Sequence, residues 1–178
     1  MSGALPGFRG FISVTDRGWF EQLRSSGLDE VNFWQPAPSG VSAQPGTPWI
    51  FKLHYPENVI VGLGYFTYYT RMPISVAWET FGVGNGVRSY VEMLDRVKKY
   101  RPSIVSAPQE VGCVVLSDPI FLDESDWIFG ACGLGAQYRQ GQVLRPCGGS
   151  GRYDLAAASR SRLRLAERQP DGRVKCNR

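Results

Sequence analysis

The chain has 178 residues, 43% of them hydrophobic, enough to bury one core, and a single folded domain is the expectation. No stretch approaches the ~20 apolar residues that span a bilayer, and the opening MSGALPGFRG lacks the basic-then-apolar pattern of a secretion signal, so a cytoplasmic chain is expected. The net charge of +4 belongs to the end of the chain: residues 151–178 hold eight Arg or Lys against three Asp or Glu, while residues 1–150 hold 12 against 13. Total charge is therefore no argument for a nucleic-acid surface on the domain itself.

In chain order, FRGFISVTD carries apolar residues at Phe11, Ile12 and Val14 and predicts a short strand. Thr15 or Asp16 can cap a helix over residues 17–25 with Trp19, Phe20 and Leu23 on its apolar face, and Gly27 ends it. EVNFW is a second extended segment, and Asp29 and Glu30 before it read as a turn. Four prolines and two glycines between residues 36 and 48 predict a loop. WIFKLHY is the clearest strand, PEN the turn after it, and VIVGLGYFTYYTRM its hairpin partner. Gly62 and Gly64 share a face of that strand, which implies a bend or the close approach of a neighbouring strand or a ligand.

Pro73 introduces a helix of about two turns with Ile74, Ala77, Trp78 and Phe81 at helical spacing. GVGNG, residues 82–86, lacks the spacing and the GK[ST] of a P-loop and reads as an inter-helix loop. Ser89 and Glu92 form a capping-box pair for a helix from residue 90 to about 100. Val91, Leu94 and Val97 are its expected buried side chains, with Arg96, Lys98, Lys99 and Arg101 facing outward. VGCVVLSDPIF is the last strand, followed by the polar turn DESDWIF. Beyond residue 128 the composition shifts to Gly, Arg and Ala, so residues 129–178 read as a disordered or out-of-family tail.

Chemistry-bearing motifs are few. Cys113, Cys132, Cys147 and Cys176 make no CxxC pair, which argues against a zinc knuckle or a dithiol redox site. Ser75 and Ser117 lie in no G-x-S-x-G elbow. His54, the one histidine, falls at the end of a predicted strand on the side of Lys52, where a rim position is expected. No metal, cofactor or catalytic residue is expected.

The succession GFISVTDRGWF, DEVNFWQP, WIFKLHYPENVIVGLGYF, MPISVAWETFGVGNG and VGCVVLSDPIFLDESDW resembles the N-terminal domain of a group of bacterial HNH endonucleases associated with restriction, from Phe8 to Trp127. The strand–turn–strand pattern is also similar to PUA-like barrels of the EVE and ASCH type. The resemblance implies an α+β domain over residues 8–128: a small PUA-like mixed β-barrel with flanking helices, reading a modified or flipped base in DNA as the targeting half of such an enzyme. A nuclease half is not expected within these residues, because a single histidine cannot serve both as metal ligand and as general base.

A reader of flipped bases needs one or two rings for stacking and a polar group for the base edge. Asn32, Trp34, Tyr65 and Tyr68 could meet that need. Adjacent residues of a strand face opposite ways, so one of Phe33 and Trp34 is expected in the core, leaving the other free, with Trp34 the candidate. Lys98, Lys99 and Arg101 form the one compact basic cluster before the tail and are the expected phosphate contacts. The alternative is a structural or protein-interaction domain whose aromatics are all core.

Overall fold

Strands form where β-branched and aromatic residues run together: β1 (Phe11–Thr15), β2 (Glu30–Gln35), β3 (Pro48–Leu53), β4 (Ile60–Pro73) and β5 (Glu110–Phe121). Between them lie the helices α1 (Arg17–Ser26), α2 (Ile74–Phe81) and α3 (Tyr90–Tyr100), with 3₁₀ turns at Gly82–Asn85 and Glu124–Asp126. The computed structural model describes residues 10–101 and 110–129. The chain divides into two units, Met1–Cys147 and Gly148–Arg178, and every described residue belongs to the first. The tail expected from residue 129 onward lies outside the described residues except for Phe129.

The five strands make one sheet in the order β1-β3-β4-β5-β2, parallel between β1 and β3 and antiparallel elsewhere. The expected closed barrel is thereby corrected. β1 and β2 are the two edges, and no ladder among the described residues joins them. The sheet nevertheless curls. Three strand spacings would part β2 from β3 by about 14 Å if it were flat, yet the rings of Phe33 and Trp49 lie 6.1 Å apart. Aromatic packing fills the concavity. Trp19 of α1 meets Phe33 at 5.3 Å and Phe51 at 5.1 Å, both edge to face.

This concave core also holds Val31, Phe66, Val114 and Leu116, and the loop after β2 lays Val41 and Ala43 against it. The loop is tied to β4 by Gly46 N–H to Phe66 O at 2.7 Å and by Phe66 N–H to Thr47 O at 2.9 Å. A second core lies on the opposite face, under α2 and α3, built from Trp34, Ile74, Ala77, Val87, Met93, Val97, Val111 and Cys113.

The helix ends follow the capping expectations. Asp16 Oδ1 accepts from Trp19 N–H at 2.8 Å, and Gly27 closes α1 in the left-handed conformation. Ser89 Oγ accepts from Glu92 N–H at 3.2 Å, while Glu92 Oε2 accepts from Arg88 N–H at 2.8 Å. The buried face of α3 differs from expectation: Val91 is 64% exposed, whereas Met93 and Val97 are fully buried and Leu94 is half-buried. Arg96, expected outward, lies over Gly18 and is half-buried in ion pairs to Asp16 at 3.0 Å and Glu92 at 2.8 Å.

The strand glycines have a structural cause. A Cβ on Gly62 would stand 2.2 Å from the carbonyl oxygen of Ile120, and one on Gly64 would stand 3.2 Å from Leu116 Cβ. β5 itself makes the close approach. Gly86, at the end of the first 3₁₀ turn, is more tightly constrained: φ is +69°, and a Cβ would sit 2.2 Å from Trp19 Cδ1. Gly86→Ala must displace a buried indole and strain the backbone, and a loss of roughly 2–4 kcal/mol is expected in a urea titration. An unchanged midpoint would mean that Trp19 is not held against this turn.

Candidate nucleic-acid interface

The strand register settles which candidates share a face. Asn32 lies opposite Val115, as does Tyr68 from the other side; Trp34 lies opposite Cys113, and Tyr65 and Glu30 both lie opposite Ser117. Asn32, Trp34, Tyr65 and Tyr68 therefore all point to the convex face, the one that α2 and α3 partly cover. Phe33 points the other way into the concave core.

Sharing a face does not make them one open site. Asn32 is fully buried and Trp34 is 9% exposed. Both are held by Asn85 from the 3₁₀ turn after α2. Asn32 Nδ2 donates to Asn85 Oδ1 at 2.9 Å, and Trp34 Nε1 donates to the Asn85 carbonyl at 2.9 Å. Asn85 Nδ2 in turn donates to the carbonyls of Ala77 at 3.0 Å and Gly82 at 2.9 Å. The expectation of one free ring in the Phe33–Trp34 pair is thus corrected. A strand between two cores buries both of its faces, so alternation sends each ring to a different core.

Beneath this network, burial pushes the Cys113 thiol up, and the Asn32 amide offsets part of that rise. Asn32 Oδ1 finds no hydrogen-bond partner among the described residues. Tyr65 is half-buried, and Tyr68 keeps 45% of its surface exposed. Burial raises the Tyr68 hydroxyl above its ordinary value, with Glu30 and then Cys113 adding to the rise.

The basic cluster sits on the last turn of α3 and just past it. Lys98 and Lys99 are exposed. Arg101 is half-buried, and its Nη1 donates to the Pro36 carbonyl at 3.3 Å. Between them Tyr100 is 46% exposed. One side of its ring leans on Trp34, with centroids 6.5 Å apart and planes tilted by 56°. The Lys99 ammonium lies 5.8 Å from its centroid. Burial pushes the Tyr100 hydroxyl up; Asp16 adds to the rise and Arg96 opposes it. Tyr100 had no mark in the sequence pattern beyond its place among the lysines.

Three further features lie apart from these. Lys52 is 3% exposed, donating to Asn58 Oδ1 at 2.5 Å and to the Leu53 carbonyl at 3.4 Å, and burial pulls its pKa down. His54 is exposed. A polar groove of about 270 Å³ runs between α1 and α3, lined by Gly18, Glu21, Gln22, Ser25, Arg88, Glu92 and Arg96. Among the described residues no three His, Cys, Asp or Glu side chains gather as metal ligands, and no helix is long and apolar enough to cross a membrane.

No protein-family profile matches the chain, and no curated protein does. Among solved structures it is similar to the ASCH protein of Zymomonas mobilis, with a TM-score of 0.48 at 8% identity over 86% of this chain and 93% of that one. Two point variants of that protein give a TM-score of 0.49 at 10% identity, over 90% of this chain and 99% of that one, and 0.48 at 10%, over 86% and 96%. The likeness concerns the course of the backbone and brings no residue role with it.

Two outcomes test this geometry. Asn85→Ala deprives the Asn32 amide of its acceptor and two carbonyls of their donor, and each orphaned buried group costs about 1–3 kcal/mol. Asn85→Ala and Asn32→Ala should couple in a double-mutant cycle, with the pair losing less than the sum of the singles; strict additivity would show that the amides do not hold each other. Glu92 is held below the ordinary carboxylate value of 4.5, first by the Arg88 N–H and then by Arg96. A depressed folded-state pKa adds stability that is present above the unfolded value and lost as pH falls through the folded one. Glu92→Gln should therefore flatten the fall in stability below about pH 4.5, measured by denaturant midpoints between pH 7 and pH 3.

Proposed function

We propose that residues 8–128 form a nucleic-acid-binding domain that meets the phosphate backbone through the basic end of α3. The observation that carries this reading is the order of that cluster. Lys98, Lys99 and Arg101 fall within four residues, and Arg101 is fixed by the Pro36 carbonyl rather than left to solvent. A merely solvated helix end also favours lysines, through the helix dipole. It gives no reason for a guanidinium to bind the neighbouring loop.

Reading of a modified or flipped base falls, on this view, to Tyr68 and Tyr65, whose rings reach the surface or its edge on the convex face. Asn32 and Trp34 could take part only if the turn at residues 82–86 lifted away from β2. DNA as the partner, a PUA-like ancestry and a role as targeting half of an HNH restriction endonuclease rest on the resemblance of Phe8–Trp127.

The second reading, a protein-interaction domain with a filled aromatic core, is favoured by a specific observation. The loop after β2 closes the concave face with Val41 and Ala43, and the convex pocket candidates Asn32 and Trp34 are sealed.

Fluorescence anisotropy of the full chain on labelled oligonucleotides, including unmodified and cytosine-modified duplexes over a salt series, separates the two. Phosphate contact predicts that log K falls linearly with log salt, and that replacing Lys98 and Lys99 with Ala lowers the slope by about 2. Base reading predicts tighter binding of the modified duplex and loss of that preference in Tyr68→Ala. No association of any oligonucleotide, duplex or single-stranded, at low salt would leave the interaction domain as the function.

A further inference from the structure

We infer that the end of α3 is a stacking platform for unpaired nucleobases, with Tyr100 as the stacking ring and single-stranded nucleic acid as the preferred ligand. This rests on the nucleic-acid reading above and names the ligand class of the same surface.

Three observations meet at Tyr100. The residue is 46% exposed at the C-terminal end of α3. It is backed on the inside by Trp34, itself pinned through Nε1 to the Asn85 carbonyl, so the ring stands on an anchored indole rather than on a mobile side chain. The Lys99 ammonium hovers over the ring at 5.8 Å, and Arg101 follows Tyr100 directly in sequence. This surface thus offers a π-face with the Lys99 ammonium beside it. A base stacked on the ring would bring its own phosphate near Lys99, whose ammonium could leave the ring for the phosphate as the base arrives.

A duplex cannot use this arrangement fully. Apart from its two terminal pairs, its base faces are occupied by their neighbours in the stack, so along its length it offers phosphates and not faces. A single strand offers both at once. Stacking is indifferent to base identity because every base has a π-face, so broad sequence tolerance follows. Electrostatics near the ring do not oppose this. Asp16, the closest acidic influence on Tyr100, is already paired with Arg96 at 3.0 Å.

The test uses the full chain with fluorescently labelled mixed-sequence 12-nucleotide single strands, one DNA and one RNA, and the blunt DNA duplex of the same sequence. At low salt at least one single strand should bind five-fold or more tighter than the duplex. Tyr100→Ala should weaken single-strand binding by roughly ten-fold or more, in line with the loss of one stacked base, and leave duplex binding within two-fold. Tyr100→Phe keeps the ring and should bind as the parent does, which separates stacking from the hydroxyl. Circular dichroism melts of each variant show whether the fold is intact, and if the Ala variant unfolds, Tyr100→Leu, which keeps an apolar side chain but no ring, takes its place with the same ten-fold loss expected. The DNA and RNA arms show which sugar is preferred. Equal or tighter binding of the duplex, or of a cytosine-modified duplex, overturns the single-strand assignment while leaving nucleic-acid binding in place. No binding to any oligonucleotide overturns both.

Discussion

The structure depends on one buried amide. Asn85 sits on the 3₁₀ turn after α2, and its side chain and carbonyl hold β2 through Asn32 and Trp34 and close the end of α2 through Ala77 and Gly82. A sheet face and a helix terminus both carry polar groups that burial would leave unpaired. Asparagine is suited to the place because it offers a donor and an acceptor on one short side chain. Gly86 follows at a positive φ because the chain must turn there under the Trp19 ring. The turn thereby joins both cores: Trp19 belongs to the concave one, Trp34 to the convex one. α2 and α3 can cover the convex face only in the register this turn allows.

Local chemistry made much of the fold legible. Strand composition, the Asp16 cap, the Gly27 stop and the Ser89–Glu92 pair are signals that depend on a few neighbouring residues, and the elements they predict are present. Global closure was not legible. Whether a curled sheet joins its edges depends on strand order and on what fills the concavity, and neither is written in any local window. The α3 face was misjudged for a related reason. Val91, Leu94 and Val97 satisfy a helical spacing, but so do Met93 and Val97, and the choice falls to the sheet beneath. Arg96 looks like a solvent residue until Asp16, 80 positions earlier, is brought beside it.

The candidate site shows the same division. Alternation correctly set Phe33 and Trp34 on opposite faces, and it failed on the inference that one face must be open. Periodicity gives direction, not depth; depth came from α2, α3 and the residue 82–86 turn, which cover that face of β2. Lys52 is the mirror case. A lysine among Ile50, Phe51 and Leu53 looks like a strand-edge charge, yet the Asn58 amide oxygen and the Leu53 carbonyl hold its ammonium inside. Pairing with neutral acceptors rather than a carboxylate leaves desolvation as the dominant influence on its pKa.

Burial changes the part Trp34 can play without removing it from the surface it was assigned to. A ring sealed in the interior cannot take a stacked ligand, but it can fix an exposed ring beside it. Stacking is strongest when the platform loses little freedom on binding, because each side chain immobilised at an interface subtracts from the affinity gained. Tyr100 on a helix end would by itself be a mobile aromatic. Resting on an indole that is hydrogen-bonded to Asn85, it is held in advance. The same residue whose side chain ties β2 to the end of α2 thus also steadies, through its backbone carbonyl, the indole on which Tyr100 rests, and so the ordering of the interior reaches the surface through Trp34.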